Sequence, residues 1–182
     1  MKITLPHTIE NITGEKLTFL RIIIRDGIEY LEAEIEVQPN AGPPMHVHYK
    51  QDESMTVVSG KIGYQEWRGE KKYAGTGETV LFKAGTPHKF WNASNDVVRC
   101  SGYVSPAGNL VYFLSQIYKS ANENGGRPGM YDAAYLLGRY KTEFGMLEIP
   151  AFVQKVIFPV ILFFGNLRGM NKKFIDAPEP FK

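Results

Sequence analysis

Residues 30–37, YLEAEIEV, alternate without a break. Leu31, Ala33, Ile35 and Val37 point one way, and Glu32, Glu34 and Glu36 the other. Successive side chains on a strand face opposite sides, so this pattern predicts a half-buried strand with a solvated acidic face. The preceding run 17–24, LTFLRIII, reaches it through Arg25-Asp26-Gly27, where glycine supplies the positive φ of a hairpin turn. Further short β-rich runs follow at Ser54–Val58, Lys61–Trp67, Thr79–Phe82, Lys89–Trp91 and Val97–Val104, separated by Gly, Pro, Asn and Asp. Many short strands at close spacing predict a small all-β sandwich or barrel over residues 1–105.

The period changes after Ser105-Pro106. Leu110, Phe113, Leu114 and Ile117 recur at helical spacing, and Asn124-Gly125-Gly126 supplies a stop. Residues 130–144 predict a second helix closed by Gly145, and Pro150 suits the first turn of a third. That third helix is apolar on all sides from Val156 to Phe164, with a kink expected at Pro159. The tail, DAPEPFK, is expected to run extended over the surface. Residues 106–182 therefore predict a helical extension packed on the barrel or on a partner subunit. Within it, 149–167 approaches the roughly 20 apolar residues that span a bilayer, but Gln154 and Lys155 interrupt the run. A buried or dimer-forming helix, and with it a homodimer, is the main expectation. Peripheral membrane contact, with Lys155, Arg168, Lys172 and Lys173 nearby, is the alternative.

Composition narrows the setting. At 182 residues with 43% hydrophobic side chains, the chain can bury a core without covalent staples. Its single cysteine excludes an internal disulfide and fits a reducing cytoplasm. The N-terminal stretch MKITLPHTIENITGEK has no apolar run of the kind a signal peptide needs. A formal charge of +2 gives no reason to expect nucleic acid as a partner.

The chemistry concentrates in residues 42–60, GPPMHVHYKQDESMTVVSG. His46 and His48 are two apart, so on a strand both imidazoles leave the same face. Glu53 stands at an odd offset from His48, and a turn through Lys50-Gln51-Asp52 would bring it back to that face on the next strand. Gly60 suits the turn that ends it. A second segment, GETVLFKAGTPHKFWN at 77–92, adds His88 after a Gly-Thr-Pro turn. Three imidazoles and one carboxylate suit a divalent first-row metal.

The spacing of these residues resembles the cupin family. Its first motif is G, five residues, H-x-H, three or four residues, E, six residues, G. The chain has His46-Val47-His48, four residues, Glu53, six residues and Gly60. Asn40 stands where the leading Gly falls, with Gly42 two residues later. The second motif, G, five residues, P-x-G, two residues, H, three residues, N, is met by Gly77, Gly85, His88 and Asn92, with Lys83 in place of Pro. Neither departure touches a ligand. The resemblance covers about residues 30–105. It implies a jelly-roll barrel (a double-stranded β-helix) holding one metal through His46, His48, Glu53 and His88, with Asp52 as the alternative acid after a one-residue register change. Iron, manganese, nickel, zinc or copper would suit such ligands.

Members of that family include oxygenases, isomerases, decarboxylases and proteins without known chemistry. The expectation is a metal-dependent enzyme, of oxygenase or isomerase type, acting on a small oxygen-rich molecule. A binding or sensing module without turnover, or a purely structural metal, are the other readings. Tyr64, Phe90 and Tyr103 are candidates for the pocket lining, as are Trp67 and Trp91, although ordinary core packing is the simpler reading of each. Arg99 reads as a solvated strand charge, Cys100 as a buried inert thiol and His7 as a surface residue without a partner.

Overall fold

The computed structural model describes residues 3–181. Its first strands are β1 (His7–Glu10), β2 (Glu15–Arg25) and β3 (Ile28–Val37), followed by β4 (His46–His48) and β5 (Asp52–Ser59). Then come β6 (Lys61–Glu66), β7 (Lys72–Gly75), β8 (Thr79–Phe82), β9 (His88–Asn92) and β10 (Val98–Ser105). The chain continues through α1 (Leu110–Glu123), α2 (Met130–Arg139), β11 (Phe144–Met146) and α3 (Phe158–Leu167). One antiparallel sheet has the order β1-β2-β3-β10-β5-β8 and the other β11-β4-β9-β6-β7. The two sheets form a jelly-roll barrel. Asp26 and Gly27 both have positive φ, 51° and 77°, which matches the twist of a two-residue hairpin between β2 and β3.

Alternation on these strands sends Val37, Met55, Val57, Ile62, Phe82 and Phe90 into the barrel. A second cluster is shared between sheet and helices: Phe19, Leu31 and Val104 pack with Leu110, Phe113, Leu136, Tyr140 and Phe144. The helices therefore continue the barrel's own core.

The expected helix over 130–144 is shorter than its pattern suggests. It ends at Arg139, and Phe144–Met146 instead pairs with β4, Phe144 opposite His48 and Met146 opposite His46. Tertiary contact overrides local pattern here. Strand β4 has three residues and needs an edge partner, and Phe144 stacks on Phe113 with ring centroids 4.5 Å apart. A division at residue 105 thus does not separate strands from helices, because β11 completes the smaller sheet. His7 also differs from expectation. Its Nε2 lies 2.9 Å from Ser115 Oγ, pinning β1 to α1.

Helical backbone continues from Ala151 to Leu167 but changes pitch: Val153–Ile157 forms a π-turn just before α3. Pro159 has no N–H to donate and its ring crowds the carbonyl four residues back, so a wider turn accommodates it. Helix α3 packs on α2 at Gly165, where a Cβ would fall 2.1 Å from the Tyr131 ring.

The tail crosses the surface under restraint. Arg139 donates to the Ala177 carbonyl, Tyr140 Oη to that of Pro178 and Lys50 Nζ to that of Phe181. Glu143, fully buried, accepts from Asn109 N, Asn109 Nδ2 and Phe181 N at 3.0, 2.8 and 2.8 Å. Glu143→Ala leaves those donors without their acceptor. Its urea unfolding free energy should fall by about 3 kcal/mol, and an unchanged midpoint would show that the carboxylate contributes little.

Candidate metal centre

Strand β4 carries His46 and His48 on one face, and His46 lies directly opposite His88 at the start of β9. The next strand, β5, presents Glu53 inward against Phe82 of β8, so the expected turn after His48 does return the acid to the histidines. Asn40, in place of the motif's leading glycine, has φ 64°, a left-handed conformation that Asn tolerates best after Gly. Asn92 at the end of the second motif is fully buried. Its Nδ2 donates to the carbonyls of Val37 and Asp96 at 2.7 and 2.8 Å, tying β9 to β3 and to the turn beyond.

All four candidate ligand atoms lie within 4.8 Å of one another, and the group can hold a metal ion. Glu53 Oε2 stands 3.1 Å from His88 Nε2, 3.3 Å from His48 Nε2 and 4.0 Å from His46 Nε2. Two donors each about 2.1 Å from one ion would be separated by about 3–4 Å, which matches.

The protons sharpen this fit. His46 Nδ1 sits 2.9 Å from the Pro44 carbonyl and His88 Nδ1 sits 2.8 Å from that of Thr86. A carbonyl only accepts, so each Nδ1 carries the hydrogen, and in the neutral rings the Nε2 lone pairs face Glu53. Lone pairs turned on a carboxylate oxygen need a cation between them, either a proton or a metal. Backbone carbonyls that fix a tautomer in this way are the usual outer support of a metal-binding imidazole.

Burial works against charge on His46, His48 and Glu53, but it prevails on His48 alone. It drives His48 down to about 3, only partly offset by Glu53, so this ring is neutral at ordinary pH. For His46 the hydrogen bond and charge of Glu53, with the Pro44 carbonyl, outweigh burial and raise its pKa. Burial would raise Glu53, yet His46 and His88 hold it well below the usual carboxylate range.

Asp52 is excluded as the inward acid. Its carboxylate takes Lys83 Nζ at 2.7 Å and Ala84 N at 2.9 Å, on the outer side of the β5–β8 pair. Lys83, where the motif has Pro, thus anchors the loop before His88 by an ion pair.

The aromatic candidates divide by strand face. Phe90 points inward into the barrel core, and Tyr64 packs beside it on Phe82 with ring centroids 6.0 Å apart. Tyr103 does not belong with them. It alternates with inward Gly102 and Val104, and its ring meets Tyr30 at 5.1 Å on the outer surface. Trp91 faces outward against Tyr73, and Trp67 is exposed. The wall against His88 is Phe82, stacked at 3.8 Å. Arg99 pairs with Glu36 on the surface, and burial pushes the Cys100 thiol up to about 11, which leaves it inert at neutral pH.

Glu15 and Tyr118 were not legible as site residues. Glu15 is buried on β2, accepts from Asn11 Nδ2 at 2.9 Å and bonds to the Tyr118 hydroxyl from α1. Burial raises its pKa, with Asn11 opposing, and its charge acts on His46. It also lines a cavity of about 240 Å³ with Gly14, Glu36 and Gln38. No motif marks either residue, because strand and helix meet here from positions about a hundred residues apart.

Comparison with known proteins places the barrel. A family model for the cupin domain matches residues 33–104. A probable oxidoreductase, virH, of Hypocrea virens is 31% identical over 72 residues, covering 40% of this chain and 32% of that protein. The chain thus matches about a third of that relative's length. KdgF from a Halomonas species superposes with a TM-score of 0.50 at 16% identity, over 58% of this chain and 92% of that one. A sugar phosphate isomerase of the cupin superfamily from Silicibacter pomeroyi gives 0.43 at 19% identity, over 50% and 59% of the two chains. At these identities the structural likeness is one of fold.

Proposed function

Because residues 33–104 match the cupin domain, we propose that this chain binds one divalent transition metal through His46, His48, Glu53 and His88. In this reading it is a metal-dependent enzyme, of oxygenase or isomerase type, acting on a small oxygen-rich molecule in the cytoplasm. One observation carries it: two imidazoles with tautomers set by backbone carbonyls turn their Nε2 atoms on one buried carboxylate oxygen. The donor set suits iron, manganese, nickel, zinc or copper, and such an ion supplies Lewis acidity to an oxygen ligand in the positions the four residues leave open.

The chain's own residues would do the rest. Glu53 brings the negative charge that lowers the cost of a buried dication, and neutral His48 can ligate without first losing a proton. Phe82 and Phe90 exclude water from the inner side. Glu15, buried on β2 and hydrogen-bonded to Tyr118, is a further carboxyl whose charge acts on His46. The segment shared with the probable oxidoreductase of Hypocrea virens supports a redox role.

The test is elemental analysis of untagged protein purified without chelator, followed by incubation of the loaded protein with small hydroxy acids, keto acids and sugars. Stoichiometric metal with consumption of one class supports the enzyme. A second reading, a metal-dependent binding module, draws on the burial of His48, Glu53 and His88. It expects an occupied site and ligand affinity with no product. No metal uptake on reconstitution overturns both.

Affinity should also depend on pH. His46, its pKa raised, holds a proton that the metal must displace, whereas His48 holds none above about 3. Apparent affinity should therefore rise with pH through the range where His46 loses its proton, and fall on acidification. Competition titration with a chromophoric chelator between about pH 5 and 8 covers the ordinary range of imidazole titration. A flat profile would show that no histidine proton is displaced.

A further inference from the structure

The C-terminal helix leaves an apolar side exposed. Phe152, Val156, Val160, Phe163, Phe164 and Leu167 are all exposed, from 45% to 71%, whereas Phe158 and Gly165 alone are buried in α3. At about 100° per residue, Val160, Phe163, Phe164 and Leu167 form one stripe, opposite the side that Phe158 and Gly165 pack onto α2. Phe152 and Val156 extend the same side by two turns of four. The helix is thus apolar on its exposed side as well as on its packed one, where Phe158, Ile161 and Leu162 join the core.

Charge chooses the occupant. From residue 149 to residue 175 the chain has Lys155, Arg168, Lys172 and Lys173 and no acidic residue. Lys173 is engaged by Asp132, at 2.6 Å from Oδ1, whereas Lys155, Arg168 and Lys172 are exposed at the ends of the stripe. A symmetric pairing of two such helices would bring like cations together with no carboxylate on the segment to meet them. An anionic surface meets them directly. No helix among the described residues is long and apolar enough to cross a membrane. A helix lying in the interface with its apolar side among the acyl chains and its cations at headgroup level needs no such length.

We propose that residues 151–175 dock the protein on the surface of an anionic lipid bilayer. Val160, Phe163, Phe164 and Leu167 insert, and Lys155, Arg168 and Lys172 bind the phosphate headgroups. The barrel is held at the surface, so its substrate can be drawn from the membrane or from solution alike.

Flotation of the full chain with phosphatidylglycerol–phosphatidylcholine vesicles and with pure phosphatidylcholine vesicles tests this. Binding should appear on the anionic vesicles, weaken with added salt and be much lower on phosphatidylcholine. The variant Phe163→Ser/Leu167→Ser should abolish it. Lys155→Gln/Arg168→Gln/Lys172→Gln should reduce partitioning about tenfold or more. Both alter exposed side chains, and unchanged circular dichroism and thermal unfolding will confirm that they fold. Sedimentation velocity on the same samples supplies the opposing outcome. A dimer that dissociates on Phe163→Ser/Leu167→Ser, or absence of binding to either vesicle, overturns the proposal.

Discussion

His46→Ala is expected to remove tight metal binding and leave the barrel folded. His46 is the ligand of choice because its side chain is partly exposed, so truncation opens little cavity. His88, stacked on Phe82 and 1% exposed, would confuse lost ligation with lost packing. Losing even an outer-shell partner of a metal ligand costs about 10–100-fold in affinity, so loss of the ligand itself should exceed about 100-fold. Thermal unfolding gives the same answer independently. With metal at about a thousand times its dissociation constant, wild type gains about 4 kcal/mol, or about 10 °C in a domain this size. The variant should show no such rise. Retained stoichiometric metal in His46→Ala would remove this histidine from the ligand set.

The second large effect is expected at Gly42, before β4. A Cβ there would lie 2.2 Å from the Phe90 carbonyl oxygen and 2.8 Å from Trp91 Cα. Both atoms are backbone, so no side chain can swing away to make room. The strap around Gly42 is bonded to the same strand: Asn92 N donates to the Ala41 carbonyl at 2.9 Å and Asn40 N to that of Asn92 at 3.2 Å. Gly42→Ala must push the strap from β9, and with it His46 from His88. We expect about 3 kcal/mol lost from the unfolding free energy together with weaker metal binding, although no ligand is changed. Urea unfolding and chelator competition measure the two. Wild-type values in both would show that the strap moves freely, whereas loss of stability alone would uncouple it from the site.

The pairing of those two effects shows how the candidate site was legible. The offset between His46 and His48 is a property of any strand, and it held. Glu53 could be placed by assuming one turn, and Asp52 could not be dismissed until Lys83 was seen to hold it from the outer face. Tyr103 was misplaced for a related reason. Its face depends on the register of β10 against β5, where Gly102 opposes Met55, and a bulge shifts that register at Arg99 and Cys100. Period-2 reasoning inside one strand gives two faces without saying which is interior.

Local pattern by itself determined the strands with clean alternation, the Asp26-Gly27 hairpin, the stop at Asn124 and the four donors, because each depends on neighbours within a few residues. Only the tertiary structure decided the rest. It ended the second helix at Arg139 rather than at residue 144 and put Phe144–Met146 on a strand, since β4 lacked an edge partner and Phe113 offered a surface. It brought Glu15 to Tyr118 across about a hundred residues of chain, and placed Glu143 where Asn109 and Phe181 both donate to it. It also left exposed on this chain an apolar helix for which pattern allowed burial, a dimer contact or a membrane surface. In each case the deciding energy is a contact between residues far apart in the chain, and such a contact exists only once the barrel has closed.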